Sequence, residues 1–334
     1  MRRTAIFVAA ALVALAANAA PSGAEPVKLR VAWAAVPSHI VPLLLEKKEL
    51  LAHHGDSYVL EPVLFRGSAA EIAALANGDL QIAALSFGTF GLAIQNAHLD
   101  DLRVIADGNQ GGVAGHFSTD YAVRNDSDIR RIEDLKGKVV ASNGIGGANY
   151  MAIRKMLEDH GLEEKRDYTA IEVRFPSMLA VLSEGKADLV TLVQPYAYLA
   201  RREGSARVLF TMREAMGQTQ TTLLAARAPF IAGHRAALVD FCEDLQRGLR
   251  WFMSPANITQ VLDIVSRFTH RPASEYANWL YTEDDDFHDP DARPNLEALQ
   301  HNLDLQRSLG LLKIDIDVNR YADLSLVNEA ARRR

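Results

Sequence analysis

One turn is written twice in this chain. Leu75-Ala-Asn-Gly78-Asp79-Leu80 recurs about one hundred residues later as Leu182-Ser-Glu-Gly185-Lys-Ala-Asp188-Leu189. Each copy sits inside the same alternation of short apolar runs and segments of helical spacing. In the first half, Val27 to Trp33 reads as a buried strand, and Ser38 to His53 as a helix with Ile40, Leu43, Leu44 and Leu51 on one face. Tyr58 to Phe65 is a strand. Ser68 to Ala76 is a helix, with Ser68 as N-cap, Glu71 completing a capping box and Asn77-Gly78 ending it. Leu80 to Leu85 is a strand and Phe87 to Gln95 a helix. The second half repeats this with strands at Lys138 to Ser142, Tyr168 to Phe175 and Asp188 to Val193. Its helices are Gly147 to His160, Pro176 to Ser183 and Tyr196 to Arg202. Two β-α-β-α-β-α units predict an α/β chain of two lobes, each a parallel sheet covered by helices.

Between the units lie extended segments at Leu102 to Asp107 and Gly115 to Arg124, and after them Arg207 to Phe210 and Thr221 to Arg227. One segment out and one back predict a two-stranded hinge. The first lobe is then 27–117 with 218–330, and the second is 120–212. Past Pro229 the pattern is helical at Ala232 to Met253, Asn257 to Phe268, Ser274 to Tyr281 and Leu296 to Leu309. These helices are expected to pack on the first lobe. Glu283-Asp284-Asp285-Asp286 lacks the alternating order of a calcium loop and reads as a solvated acidic loop.

The first 24 residues stand apart. Arg2 and Arg3 precede an apolar run from Ala5 to Ala17, and small residues follow at Ala17-Asn18-Ala19 and Ser22-Gly23-Ala24. That order predicts a cleaved Sec signal peptide and a periplasmic protein. No cysteine follows the run, so a lipid anchor is not expected. The only cysteine, Cys242, lies in a helical apolar pattern and reads as core. About 310 mature residues suffice for two cores. The formal net charge is −6 and no basic stripe occurs, which argues against nucleic acid. His53-His54 and His116 show no metal-ligand spacing. Gly-x-Ser-x-Gly is absent. No cofactor, no metal and no catalytic residue is expected.

The ordered set of motifs resembles the type II periplasmic substrate-binding proteins of ABC transporters, in the nitrate/sulfonate/taurine branch that also holds thiamine-precursor binders. It comprises Leu29-Arg-Val-Ala-Trp33, Leu75-Ala-Asn-Gly78-Asp79-Leu80-Gln-Ile-Ala83 before Ser86-Phe-Gly88, and Ile132-Glu-Asp-Leu135-Lys-Gly137-Lys-Val139. Asn143-Gly-Ile-Gly146-Gly-Ala-Asn149, Gly185-Lys-Ala-Asp188, Gln194-Pro195-Tyr196 and Leu224-Ala-Ala-Arg227 complete it. The resemblance implies a monomeric binder that hands a small organic anion, a sulfonate or carboxylate and aromatic or not, to an ABC permease with its ATPase. A pyrimidine-type heterocycle is the alternative ligand. One departure bears on the ligand. Sulfonate binders often carry serines and threonines where this chain has Gly144-Ile-Gly-Gly-Ala148-Asn149. The cysteine-rich motif of the related pyrimidine synthases is missing, so their activity is not implied.

Ligands of open parallel sheets sit beyond the carboxyl ends of the strands. In the first half those ends supply Trp33, His39, Arg66, Ser86 and Phe87. In the second they supply Asn143, Gly146, Gly147, Ala148, Asn149, Arg174, Gln194 and Tyr196. Several loops feed helix N-termini, which favour an anion. The glycines allow close backbone approach, and Arg66 offers a guanidinium fork. Arg174 holds a similar place in the second half. Trp33, Phe87 and Tyr196 are read as apolar walls, and His39 as a donor to the anion.

Overall fold

The computed structural model describes residues 25–65 and 68–333. The segment read as a signal peptide, 1–24, and the candidate Arg66 both lie outside the described residues.

The strands are β1 (Val27–Trp33), β2 (Tyr58–Leu64), β3 (Ala83–Ser86), β4 (Leu102–Gly111), β5 (Asp120–Arg124), β6 (Lys138–Ser142), β7 (Tyr168–Glu172), β8 (Leu189–Leu192), β9 (Ala206–Thr211) and β10 (Thr219–Arg227). The helices are α1 (Ser68–Asn77), α2 (Phe87–Ala97), α3 (Ala148–Asp159), α4 (Met178–Ser183), α5 (Tyr196–Glu203), α6 (Met212–Met216), α7 (Ala228–Phe252), α8 (Ile258–Thr269), α9 (Leu296–Ser308) and α10 (Ser325–Arg332).

One sheet runs β7-β6-β8-β5-β9. The other elements reproduce that order. β2 pairs in parallel with β1, β1 is bridged to the foot of β3 through Val31 and Ile82, and the sheet continues β3-β10-β4. In both sheets one strand is antiparallel to its inner neighbour: β10 against β3, and β5 against β8. The repeated turn in the sequence is therefore a repeat in space. All four residues of the short β8 are buried, as befits a strand covered on both faces. At the edge, Leu64 at the end of β2 is left exposed.

The chain leaves β4 for β5 through 112–119 and returns from β9 to β10 through 212–218. These two links are bound to each other. A Cβ on Gly112, whose φ is +70°, would overlap the carbonyl oxygen of Gly217, so the backbones touch there. Arg213 on the returning link donates from Nε to the Gly112 carbonyl at 3.1 Å, and its amide donates to Ser118 Oγ at 2.9 Å. α6 was not expected from the sequence. Thr211 and Glu214 cap it reciprocally, a capping box inside the returning link.

α7 packs on β10, β4 and α10, which brings the C-terminal helices onto the first sheet. Its one fully buried carboxylate, Asp244, accepts the backbone amides of Ala52 at 3.0 Å and His53 at 3.1 Å and the Tyr58 hydroxyl at 2.8 Å. Arg247 donates to it as well. Cys242 is fully buried as a small apolar residue.

Four local expectations fail, each for a physical reason. The segment read as a helix from Ser38 to His53 is a 3-10 stretch, Val41–Leu50, kinked at Lys47. Pro37 and Pro42 remove two backbone donors from its start. Ser274 to Tyr281 forms a 3-10 turn at Ala273–Glu275 and then irregular turns, because Tyr281 adopts φ +63° and Trp279 is drawn fully into the core. Glu71 does not cap α1. It lies in the core and accepts the amide of Ala84 on β3 at 2.5 Å. The acidic segment 283–289 is not a solvated loop. Its backbone pairs with the hinge strand, Gln110 N–H to the Phe287 carbonyl at 3.1 Å and Phe117 N–H to the Asp285 carbonyl at 3.0 Å. Its carboxylates cap turns: Asp285 accepts the Tyr281 and Asp286 amides, and Asp289 accepts those of Asp291 and Arg293.

Burial pushes Glu71 up to about 8, partly offset by the Ala84 amide. The folded value exceeds the ordinary carboxylate value, so the folded chain holds this proton where the unfolded chain has lost it. Stability from this group is complete below the unfolded value and is lost as pH rises through the folded one. Glu71→Gln keeps an acceptor for Ala84 and removes the titration. The variant should gain stability relative to the native protein between about pH 5 and pH 8 in urea unfolding. A difference independent of pH overturns this account.

Candidate functional site

The ends of β3 and β6 meet. Ser86 caps α2 by accepting the Thr89 amide at 3.3 Å, and its Oγ lies 3.0 Å from Thr89 Oγ1. Across from it, Gly147 caps α3 with extended backbone, and a Cβ built on Gly147 would lie 3.9 Å from Ser86 Oγ. Gly146 takes φ +84°, and a Cβ on Gly88 would overlap its carbonyl oxygen. The N-termini of α2 and α3 thus face each other across a backbone contact. Asn149 Nδ2 donates to Asn143 Oδ1 at 2.8 Å, and the Asn149 carbonyl accepts the Tyr121 hydroxyl at 3.2 Å. Asn149 Oδ1 and the neighbouring Ser142 Oγ are buried and have no partner among the described residues.

Not every expected residue joins this group. Phe87 is fully buried in the apolar core and is no cleft wall. Ala148 is buried in the same core. That core also holds Leu85 and Phe90 from one sheet's elements and Tyr121, Val140 and Met151 from the other's, so the two lobes share an apolar seam. Part of the glycine loop is already engaged: the Ile145 amide donates to Glu172 Oε1 at 2.7 Å.

Gln194 and Tyr196 lie at a second contact between the lobes. Buried Gln194 donates to the Asp284 carbonyl at 2.9 Å and accepts the Tyr198 amide at 3.1 Å, so both ends of its amide are used within the protein. Arg201 reaches Asp120 at 3.2 Å and Asp284 at 2.8 Å. The Arg271 guanidinium stands 5.7 Å from the centre of the Tyr196 ring and pairs with Glu275. Burial raises the Tyr196 hydroxyl above its ordinary value.

On the first lobe, Trp33 packs edge-on against Phe268 at 5.5 Å. His39 Nδ1 accepts the Ala34 amide at 3.3 Å. Desolvation of its ring, with His288 nearby, pushes His39 down to about 4. His39 is therefore neutral at pH 7 and brings an anion no charge; with Nδ1 accepting, the ring's one proton sits on Nε2, the atom left to donate. Arg174 is exposed; its carbonyl accepts the Ser177 amide at 2.9 Å, and its side chain has no hydrogen bond or ion pair among the described residues.

One cavity escaped the sequence reading. It has a volume of about 490 Å³ and lies between the segment after β1, the α7–α8 junction, Gly115-His116 and the 280–288 segment. Ile40, Leu43, Phe252, Val261 and Val265 give it apolar walls. Ser38, His116, Asp286 and His288 form its polar side, where Ser38 donates to Asp286 at 2.5 Å. Desolvation raises Asp286 and pushes Asp285 up to about 7. The four segments are distant in sequence, and only the acidic run was a local signal.

The family described as "NMT1/THI5 like" matches residues 71–257. No curated protein matches the chain by sequence. Among solved structures, the alkanesulfonate-binding protein SsuA from Xanthomonas axonopodis pv. citri, bound to MOPS, is 18% identical, with a TM-score of 0.70 over 90% of this chain and 99% of that one. The periplasmic nitrate-binding protein NrtA from Synechocystis PCC 6803 is 16% identical, with a TM-score of 0.74 over 92% and 89%. The desulfurization enzyme DSZB is 13% identical, with a TM-score of 0.66 over 92% and 99%. The same backbone thus serves binders and at least one enzyme.

Proposed function

The chain belongs to the NMT1/THI5-like family and has the two-lobed fold of periplasmic binding proteins, and from that premise we propose that it is the extracytoplasmic solute-binding component of an ABC importer. It captures a small organic anion, a sulfonate or carboxylate, and delivers it to the permease and its ATPase. The closing bodies are 27–117 with 218–330, and 120–212. The observation that carries this reading is the convergence of the α2 and α3 N-termini from two sheets of the same strand order, between which the chain crosses only at the paired links 112–119 and 212–218. Two positive helix ends aimed at one place favour an anion there. Closing on it excludes water and strengthens every hydrogen bond made to it. The lobes are bodies joined at a narrow hinge, so the ligand selects the closed arrangement that the permease reads. The basic, apolar, small-residue order of the first 24 residues supports export.

A second reading has its own observation. The described strand ends supply no buried cation: His39 is neutral, Arg174 is exposed, and Arg201 and Arg271 are paired with acids. This favours an uncharged pyrimidine-type heterocycle over an anion.

A thermal-shift panel of alkanesulfonates, aromatic carboxylates, nitrate and aminopyrimidines separates the readings. A ligand at 100 times its Kd adds about 2.7 kcal/mol of stability. Stabilisation by pyrimidines alone would replace the anion, and stabilisation by neither class removes both. A deletion strain that takes up the stabilising compound as well as its parent rejects the transport role. Turnover of that compound by the pure protein rejects a simple binder. Arg66→Ala should weaken anion binding by about 1.5–3 kcal/mol if Arg66 makes a charged hydrogen bond. Unchanged affinity in calorimetry takes Arg66 out of the site.

A further inference from the structure

We propose that the 490 Å³ cavity beside the hinge is a separate binding site for an organic ammonium ion carrying an apolar body, with Asp286, His288 and Ser38 receiving the ammonium group. The cavity shares no residue with the strand-end group of Ser86, Asn143, Gly147, Gln194 and Tyr196.

The argument begins with which lone pairs are left. His288 is 6% exposed and lines the cavity. Its Nδ1 lies 2.9 Å from the Gly108 carbonyl, which can only accept, so Nδ1 carries the proton. In the neutral ring Nε2 is then a bare acceptor, and no described residue donates to it. Asp286 receives one hydrogen bond, from Ser38, and keeps further lone pairs on its carboxylate. Ser38 Oγ spends its proton on Asp286 and retains acceptor capacity. The polar side therefore offers a carboxylate, an imidazole nitrogen and a hydroxyl oxygen, and needs donors. An ammonium group has three N–H bonds to give.

Charge points the same way. Glu283, Asp285 and Asp286 line the cavity, and neither lysine nor arginine stands among its described lining residues. A buried anion would meet acids with no counterion. Desolvation holds Asp285 and Asp286 away from their ionised forms, and at Asp286 the nearby His288 and His116 offset it only in part. A bound ammonium supplies the missing charge. The remaining walls are apolar and aromatic, including Leu280, Tyr281 and Phe252, and they suit a hydrocarbon or aryl body.

Three probes on one ring isolate the head group: benzylamine, benzyl alcohol and benzoate, titrated into the full mature chain by calorimetry. Benzylamine should bind saturably and at least about tenfold more tightly than either other probe. Asp286→Asn keeps an acceptor for Ser38 and removes the charge, and it should cut benzylamine affinity by about tenfold while leaving the other two unchanged. A crystal soaked with benzylamine should show the amine nitrogen against Asp286 and His288. Equal binding of benzoate, no saturable benzylamine binding up to about 10 mM, or unchanged affinity in Asp286→Asn overturns the proposal. If Asp286→Asn does not fold, the charge series on the native protein decides alone. An anion or pyrimidine found for the strand-end site should not compete with benzylamine, so the fate of that reading leaves this one standing.

Discussion

Asp244→Ala should cost the protein about 3–5 kcal/mol of stability, a large share of what holds a domain together. Asp244 sits on α7 with no exposed surface and accepts two backbone amides, a phenol and a guanidinium. The amides belong to Ala52 and His53, where the chain leaves its 3-10 stretch for β2. That stretch lacks the hydrogen bonds of a regular helix, so the carboxylate supplies what the local backbone does not. Removing it leaves the buried Tyr58 hydroxyl and the part-buried Ala52 and His53 amides without their acceptor, and a buried donor without an acceptor costs about 1–3 kcal/mol. Arg247 keeps Glu243 at 2.7 Å and the Leu50 carbonyl at 2.9 Å, so its loss is partial. Tyr58→Phe removes one donor and should cost only about 1 kcal/mol. Asp240→Ala, one helical turn away at a half-buried ion pair with Arg333, should cost about 1 kcal/mol or less. Urea unfolding of the three variants checks the ranking. If Asp244→Ala falls within about 1 kcal/mol of the native protein, the network is not the staple described.

What could be read in advance, and what could not, follows the reach of each signal. Strand runs and helix stops are local. Asn77-Gly78 and Glu184-Gly185 end α1 and α4 where expected, with Gly78 and Gly185 at positive φ. The strands that flank the hinge, β4 and β10, were legible as extended apolar runs, although the returning link between β9 and β10 carries α6. Glu71 shows the opposite case. Its spacing from Ser68 is that of a cap, yet a longer-range acceptor role on β3 claims the carboxylate. Trp279 and Leu280 both sit at helical spacing from Tyr276, but full burial of the indole overrides the local preference. The acidic run was misread because charge predicts exposure only when no backbone donors wait nearby, and here the turn amides and the hinge do. At the site, Ser86, Asn143, Gly147 and Asn149 converge as strand ends should, while Phe87 and Ala148 turn inward by one helical step each. Position at a strand end gives the loop, and helix phase decides which side chain faces out. The ammonium cavity draws on four remote segments and leaves no local pattern.

Gly88→Ala should spread the lobes. Gly88 lies in the first turn of α2 with ordinary helical φ, so alanine carries no backbone strain there and gains about 1 kcal/mol of helix propensity. Any loss must then come from contact. The new methyl would overlap the Gly146 carbonyl oxygen and lie 3.1 Å from Met151 Sδ. The sulfur can swing aside, but the carbonyl belongs to a loop that Glu172 and the α3 cap hold in place. α2 cannot retreat either. Buried Gln306 on α9 donates to the Gly88 carbonyl at 2.9 Å, and a Cβ on Gly91 would meet Leu303 at 3.1 Å. The strain is relieved only by moving α3 and its lobe away, at a cost to the closed form of about 1–3 kcal/mol. A ligand that needs both helix N-termini should lose about tenfold or more in affinity. Small-angle scattering should show a larger radius of gyration for Gly88→Ala than for the native protein. Gly233→Ala on α7 is the control, since a Cβ there meets nothing within 4 Å. An unchanged scattering profile with unchanged affinity would mean that the lobes are held by the Gln194–Asp284 and Arg201–Asp284 contacts alone, and that the glycine seam is incidental.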